Sequence, residues 1–191
     1  MKVLVLTGMP GSGKSTAVEL AKAKGLPVFR MGDAVWAEVR SRGLELENAV
    51  VGRIANEMRQ KHGPGIWAER TLECIRKAKP SKLIIIDGCR STFELDVFHK
   101  EFGADLYIVA IIATQKTRFK RLKARARADD IKTLADLRAR DERERKWGLD
   151  VVIKAAQIKF RNEGSETELK NNMGRVIDEL LSAHSQKSRL S

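Results

Sequence analysis

At 191 residues, with 42% hydrophobic and 32% charged side chains, the chain is sized for one α/β domain with a real hydrophobic core. It holds no repeat, no low-complexity tract and no run of about 18 apolar residues, which excludes a membrane-crossing helix. A formal charge of +12 points to an anionic partner, either nucleotide phosphates or a nucleic acid, although a Lys- and Arg-rich surface of the thermophile kind gives the same figure.

In chain order, strand and helix patterns alternate. Lys2–Thr7 is a short apolar run ending at glycine, hence a buried strand. Its Val3–Leu6 segment is too short for a signal peptide, and a cytoplasmic location is expected. Lys14–Lys24 reads as a helix closed by Gly25, and Pro27–Arg30 as a second short strand. Three helical stretches follow, Asp33–Arg42, Glu47–Lys61 and Pro64–Lys79. Lys82–Asp87 (KLIIID) is the clearest strand, Thr92–Phe102 a helix and Asp105–Ile112 another buried strand. Thr114–Arg125 is a basic helix; after a polar break at Ala128–Lys132, a charged helix runs to about Trp147 and stops at Gly148. Gln157–Arg161 is a last strand and Ser165–Ala183 a closing helix.

Apolar strands alternating with helices imply a parallel sheet covered on both faces. The expected organisation is a single domain over 1–183, with 33–79 as a strand-free helical insertion and 184–191 as a flexible polar tail. Cys74 and Cys89 have no metal spacing and read as ordinary thiols, with Cys89 a small buried filler. His62, His99 and His184 are scattered and suggest no ligand set.

The chemistry starts at Gly8–Thr16 (GMPGSGKST). Gly8, Gly13, Lys14 and Ser15 fit G-x-x-x-x-G-K-[ST], with a strand before and a helix after, and Gly11 adds a third flexible position. Such a loop needs glycines because its backbone N–H groups turn inward on phosphate oxygens, helped by the helix N-terminus. Lys14 is expected to reach the β- and γ-phosphates, and the Ser15 hydroxyl to ligate Mg²⁺. Asp87 ends a buried strand and is the expected second metal residue, although an aspartate there can also cap the next helix.

A kinase must bind a second anion in line with the γ-phosphate and exclude water, so it needs arginines from separate segments. The chain supplies Met31-Gly32-Asp33, Gly88-Cys89-Arg90, RLKARARADD over 121–130 and RARDER over 138–143. With the G-M-P-G-S-G-K start, G-P-G before the fourth helix and I-D-G-x-R-S, these motifs resemble the nucleoside monophosphate kinase branch of P-loop proteins. More closely, residues 1–182 resemble the archaeal adenylate-kinase-related family.

The resemblance implies a five-stranded parallel sheet in the order 2-3-1-4-5, an acceptor-binding insertion and a short lid over 126–138. It implies ATP and Mg²⁺ as ligands, with Gly8, Pro10, Gly11, Ser12, Gly13, Lys14, Ser15 and Thr16 around the donor phosphates. Arg121 then stacks on the donor base and Arg125 reaches its phosphates. Arg127 and Arg138 clamp the transferred group, with Arg140 and Arg143 as rivals to Arg138, and Arg90 grips the acceptor phosphate. Gly32, Asp33 and Gly88 fall in the acceptor site, Asp33 being a helix N-cap by default. Much of Arg118–Arg127 reads as a solvated stripe, with Lys120 and Lys123 left to water.

Two positions depart from adenylate kinases. Trp36 stands where they carry an acceptor-phosphate arginine; Arg40, one turn on, can substitute, and Trp36 either stacks on a base or packs in the core. Glu94 stands where they carry an adenine-reading glutamine. A carboxylate only accepts hydrogen bonds, which suits guanine better than adenine, unless Glu94 is a solvated helix residue.

The leading expectation is a phosphotransferase moving the γ-phosphate of ATP to a nucleoside monophosphate. The alternatives are a kinase for another small phosphorylated acceptor, such as dephospho-coenzyme A, and an ATPase acting with an RNA or ribosomal partner.

Overall fold

The computed structural model describes residues 1–125, 131 and 133–187. Five strands form one all-parallel sheet: β1 (Lys2–Thr7), β2 (Val28–Arg30), β3 (Leu83–Asp87), β4 (Leu106–Ile112) and β5 (Ile158–Arg161), in the order β2-β3-β1-β4-β5. This is the expected fold class and strand order.

The sheet is buried on both faces, so its strands are continuously apolar and their alternate residues feed two cores. Val3 and Val5, Ile84 and Ile86, and Ile108 face one core. Helices α2 (Met31–Ser41), α3 (Asn48–His62), α4 (Ile66–Lys77), α5 (Thr92–Phe102) and α8 (Leu149–Ala155) cover that side. Leu4 and Leu6, Leu83 and Ile85, and Val109 and Ile111 face the other. There α1 (Lys14–Ala23) packs against α9 (Glu166–Lys187). Helices α6 (Gln115–Arg125) and α7 (Leu134–Lys146) join through a small cluster of Leu122, Ile131 and Leu137.

Three local details differ from the sequence reading. Helix α8 was not expected: Gly148 ends α7 in a left-handed turn (φ 95°) and at once serves as the N-cap of a new helix whose Leu149 and Val152 are buried. Helix α2 begins at Met31 with Arg30 as its N-cap, so Asp33 lies exposed in the first turn and caps nothing. Helix α9 runs on to Lys187, past the expected boundary at 183; residues 188–191 lie outside the described residues. Among the described residues no helix is long and apolar enough to cross a membrane.

Since β1 is flanked by β3 on one side and β4 on the other, connections leave in opposite directions at the carboxyl end of β1. That is where a ligand crevice opens in sheets of this kind. The Gly8–Ser15 loop, Asp87 and Asn162 all sit at the carboxyl ends of strands around it.

Candidate active site

The loop after β1 folds on its glycines. Gly8 has φ 141° and Gly13 φ 112°; a Cβ on Gly8 would strike the Ile111 carbonyl oxygen, and one on Gly13 the Asn162 side-chain nitrogen. The loop is then tied from outside. Arg118 donates from Nη1 to the Pro10 carbonyl at 3.1 Å. It also forms a two-pronged pair with Asp141, at 2.8 and 2.6 Å. Asn162 Nδ2 donates to the Ser12 carbonyl at 2.8 Å, and Arg121 Nη1 to the Asn162 carbonyl at 2.9 Å. Arg118 and Asp141 are almost fully buried, so Arg118 is not part of a solvated stripe.

Lys14 folds its ammonium back onto the loop, donating to the Gly8 carbonyl at 2.5 Å and more weakly to that of Met9 at 3.3 Å. Enclosure of the ammonium lowers its pKa to about 8; Asp87 and Glu144 oppose the shift, and Arg90 and Arg140 add to it. The residue as a whole is only partly buried, the ammonium being its enclosed end.

Three cavities meet along this loop. The middle one, about 180 Å³, is lined by Gly8, Pro10, Gly11, Gly13, Lys14, Ser15, Gly32, Asp33, Asp87, Gly88, Arg90 and Arg125. On one side lies a cavity of about 460 Å³ lined by Thr16, Arg121, Leu122, Arg125, Asn162 and Glu166. On the other lies a largely apolar cavity of about 370 Å³ between the helical insertion and α7. Trp36, Trp67 and Trp147 all line it, with Arg59, Arg90, Glu94, Arg140 and Arg143 among its polar residues.

Most of the expected site residues therefore converge. Trp36 is half-buried on the walls of both the middle and the tryptophan cavity, not packed in the core. Arg40 and Arg138 are exposed and line none of these three cavities, whereas Arg140 and Arg143 do. Arg127 lies outside the described residues, as do 126, 128–130 and 132 of the expected lid.

Glu94 lines the tryptophan cavity and is not a solvated helix residue. It is 1% exposed; Oε1 accepts from Arg59 Nη2 at 3.1 Å, and Oε2 accepts from the Arg90 backbone N–H at 2.8 Å. The Arg59 guanidinium in turn lies 4.5 Å over the Trp147 ring. Glu94 thus fixes the backbone of Arg90 and anchors Arg59, which ties α3 to the end of α7. Cys89 is buried, and that burial, with the Glu94 carboxylate nearby, raises its thiol pKa well above the ordinary value.

The residues missed from sequence are Arg118, Asp141, Asn162, Arg59 and Glu144. Asn162 had a signal, since a polar residue just past a strand's carboxyl end sits where such sheets bind ligands. Arg118, Arg59 and Glu144 had none, because nothing in a run of charges says which one turns inward.

Residues 7–138 match the AAA domain family. A UPF0200 protein of Methanosarcina mazei is 36% identical over 98% of this chain and 100% of its own length. A UPF0200/UPF0201 protein of Archaeoglobus fulgidus is 39% identical over 93% of this chain; the match spans only 55% of that longer relative. Among solved structures, TT1252 of Thermus thermophilus superposes with a TM-score of 0.64 at 20% identity, covering 94% of this chain and 97% of its own. A gluconokinase of Sinorhizobium meliloti gives 0.58 at 14%, covering 98% and 97%. The two structures share the fold, and the sequence matches carry the family: the chain belongs to the AAA domain family of P-loop proteins and to the family of the UPF0200 proteins.

Proposed function

We propose that the chain is an ATP-dependent phosphotransferase that moves the γ-phosphate to a nucleoside monophosphate, AMP or GMP-like. The observation that carries this reading is the line of three adjoining cavities. The middle cavity shares Gly11, Gly13, Ser15 and Arg125 with the Arg121 cavity, and Gly32, Trp36, Gly88, Arg90, Arg140 and Glu144 with the tryptophan cavity. A donor nucleotide fits with its base beside Arg121 and its phosphates on the loop. A second ligand with an aromatic part among the tryptophans then has its anionic end at Arg90, facing the γ-phosphate. An ATPase working on a macromolecule has no use for a second, tryptophan-lined cavity beside its phosphate loop.

Ser15 and Asp87 line the same pocket, and Asp87 Oδ1 is buried without a hydrogen-bond partner among the described residues, so these oxygens fit Mg²⁺. When bound there, the ion neutralises charge on the donor phosphates. In the transfer the bond from the γ-phosphorus to the β,γ-bridging oxygen breaks, and one to an acceptor phosphate oxygen forms. ADP leaves with the bridging electron pair. A monophosphate acceptor is already nucleophilic at neutral pH, so no side-chain base is required. Lys14 leaves its own loop carbonyls for the β- and γ-phosphates, Arg90 holds the acceptor, and Arg140 or Arg143 takes the clamping role expected of Arg138.

Lys14→Ala tests the reading: diphosphate formation from ATP and a monophosphate should fall by about three orders of magnitude or more in kcat. Near-full turnover in that variant contradicts the loop assignment.

A further inference from the structure

The proposed transfer leaves one carboxylate without work. Glu144, on α7, lines both the middle cavity and the tryptophan cavity, so it stands at the seam between the phosphate end and the aromatic end of the proposed acceptor site. It is 2% exposed. Its Oε1 lies 3.4 Å from Arg90 Nη1, while Oε2 is buried with no hydrogen-bond partner among the described residues.

An ionised carboxylate accepts hydrogen bonds and donates none. It repels a phosphate oxygen, so the group that meets Oε2 is an O–H or N–H. Oε1 faces the Arg90 guanidinium, which leaves the lone pairs of Oε2 available. Between the phosphate and the base of a nucleotide, the donors on offer are the sugar hydroxyls. We propose that Glu144 is a specificity-determining residue whose Oε2 accepts a hydrogen bond from an acceptor ribose hydroxyl, so that the site selects ribonucleotides over deoxyribonucleotides. This rests on the monophosphate reading above.

The test uses binding as well as turnover. All three tryptophans of the chain line this cavity, so intrinsic fluorescence reports its occupancy. AMP and GMP are titrated alongside their 2′-deoxy and 3′-deoxy forms, and each is assayed with Mg-ATP for diphosphate formation. The wild type should bind a ribonucleotide about 10- to 100-fold more tightly than at least one deoxy form, the usual consequence of removing a donor from a buried charged acceptor. Glu144→Gln should narrow that gap to about threefold, even if its loosened grip on Arg90 slows every acceptor; its thermal unfolding serves as the folding check.

Equal binding of ribo and deoxy forms that do accept phosphate overturns the role of Glu144 and leaves the monophosphate reading standing. A full ribo preference retained in a folded Glu144→Gln also overturns it. Monophosphates that neither bind nor accept phosphate overturn both. Should Glu144→Gln fail to fold, the wild-type series decides alone.

Discussion

Lys14 shows how one side chain links burial to ligand binding. Its folded pKa of about 8 lies below the ordinary lysine value of 10.5, so between those values the unfolded chain holds more protons than the folded one. Its contribution to stability therefore rises as pH climbs through that window. Nucleotide phosphates reverse the shift by supplying negative charge. At pH 8.5, Mg-ATP binding should draw protons into the chain, measured by calorimetry in two buffers of different ionisation enthalpy. Lys14→Met should abolish the uptake; if it does not, the proton goes elsewhere. The two cysteines give a second check at the same scale. Cys74 is exposed, whereas Cys89 is buried with a raised pKa. A thiol reagent at pH 8 should modify one thiol per native chain quickly and the second only after denaturation. Fast reaction of both would put Cys89 at the surface.

At the scale of elements, two glycines should answer alanine with opposite signs. Gly148 joins α7 to α8 at φ 95° and has room for a Cβ, so Gly148→Ala costs about 1–2 kcal/mol through backbone strain alone. Gly174 sits inside α9 with nothing near its missing Cβ, so Gly174→Ala stabilises by about 0.5–1 kcal/mol. Chemical denaturation of the two variants measures both. The same junction shows where sequence reading stopped. A strand such as Leu83–Asp87 announces itself, because a strand buried on both faces is apolar throughout. Helix α8 has only 7 residues and follows a glycine that reads as a stop, so its short apolar turn passed for loop. The glycine loop was legible because its backbone geometry restricts residue type. The inward turn of Arg118 toward Asp141 was not, since it depends on α6 and α7 meeting across 23 residues of chain. The pairing of Glu94 was hidden for the same reason. Its position in α5 was readable, but its two partners come from α3 and from the backbone of Arg90.

For the whole molecule, the feature that matters is the continuity of the three cavities across the carboxyl edge of the sheet. The loop between β1 and α1 stands in the middle. The β5–α9 junction walls one side and the helical insertion with α7 walls the other. The +12 charge finds a local use here, since Arg59, Arg90, Arg125, Arg140 and Arg143 all line cavities in this line. Arginines gathered from separate segments around adjoining cavities suit small anions, whereas a nucleic acid needs them along an extended face. The decisive measurement is nucleotide product analysis: the protein with Mg-ATP and a panel of monophosphates, and Lys14→Ala as the blank. ADP and a new diphosphate formed in equal amounts from one acceptor is the predicted result, and it names the base. ADP and free phosphate in amounts no acceptor changes would contradict phosphotransfer and leave an ATPase in its place.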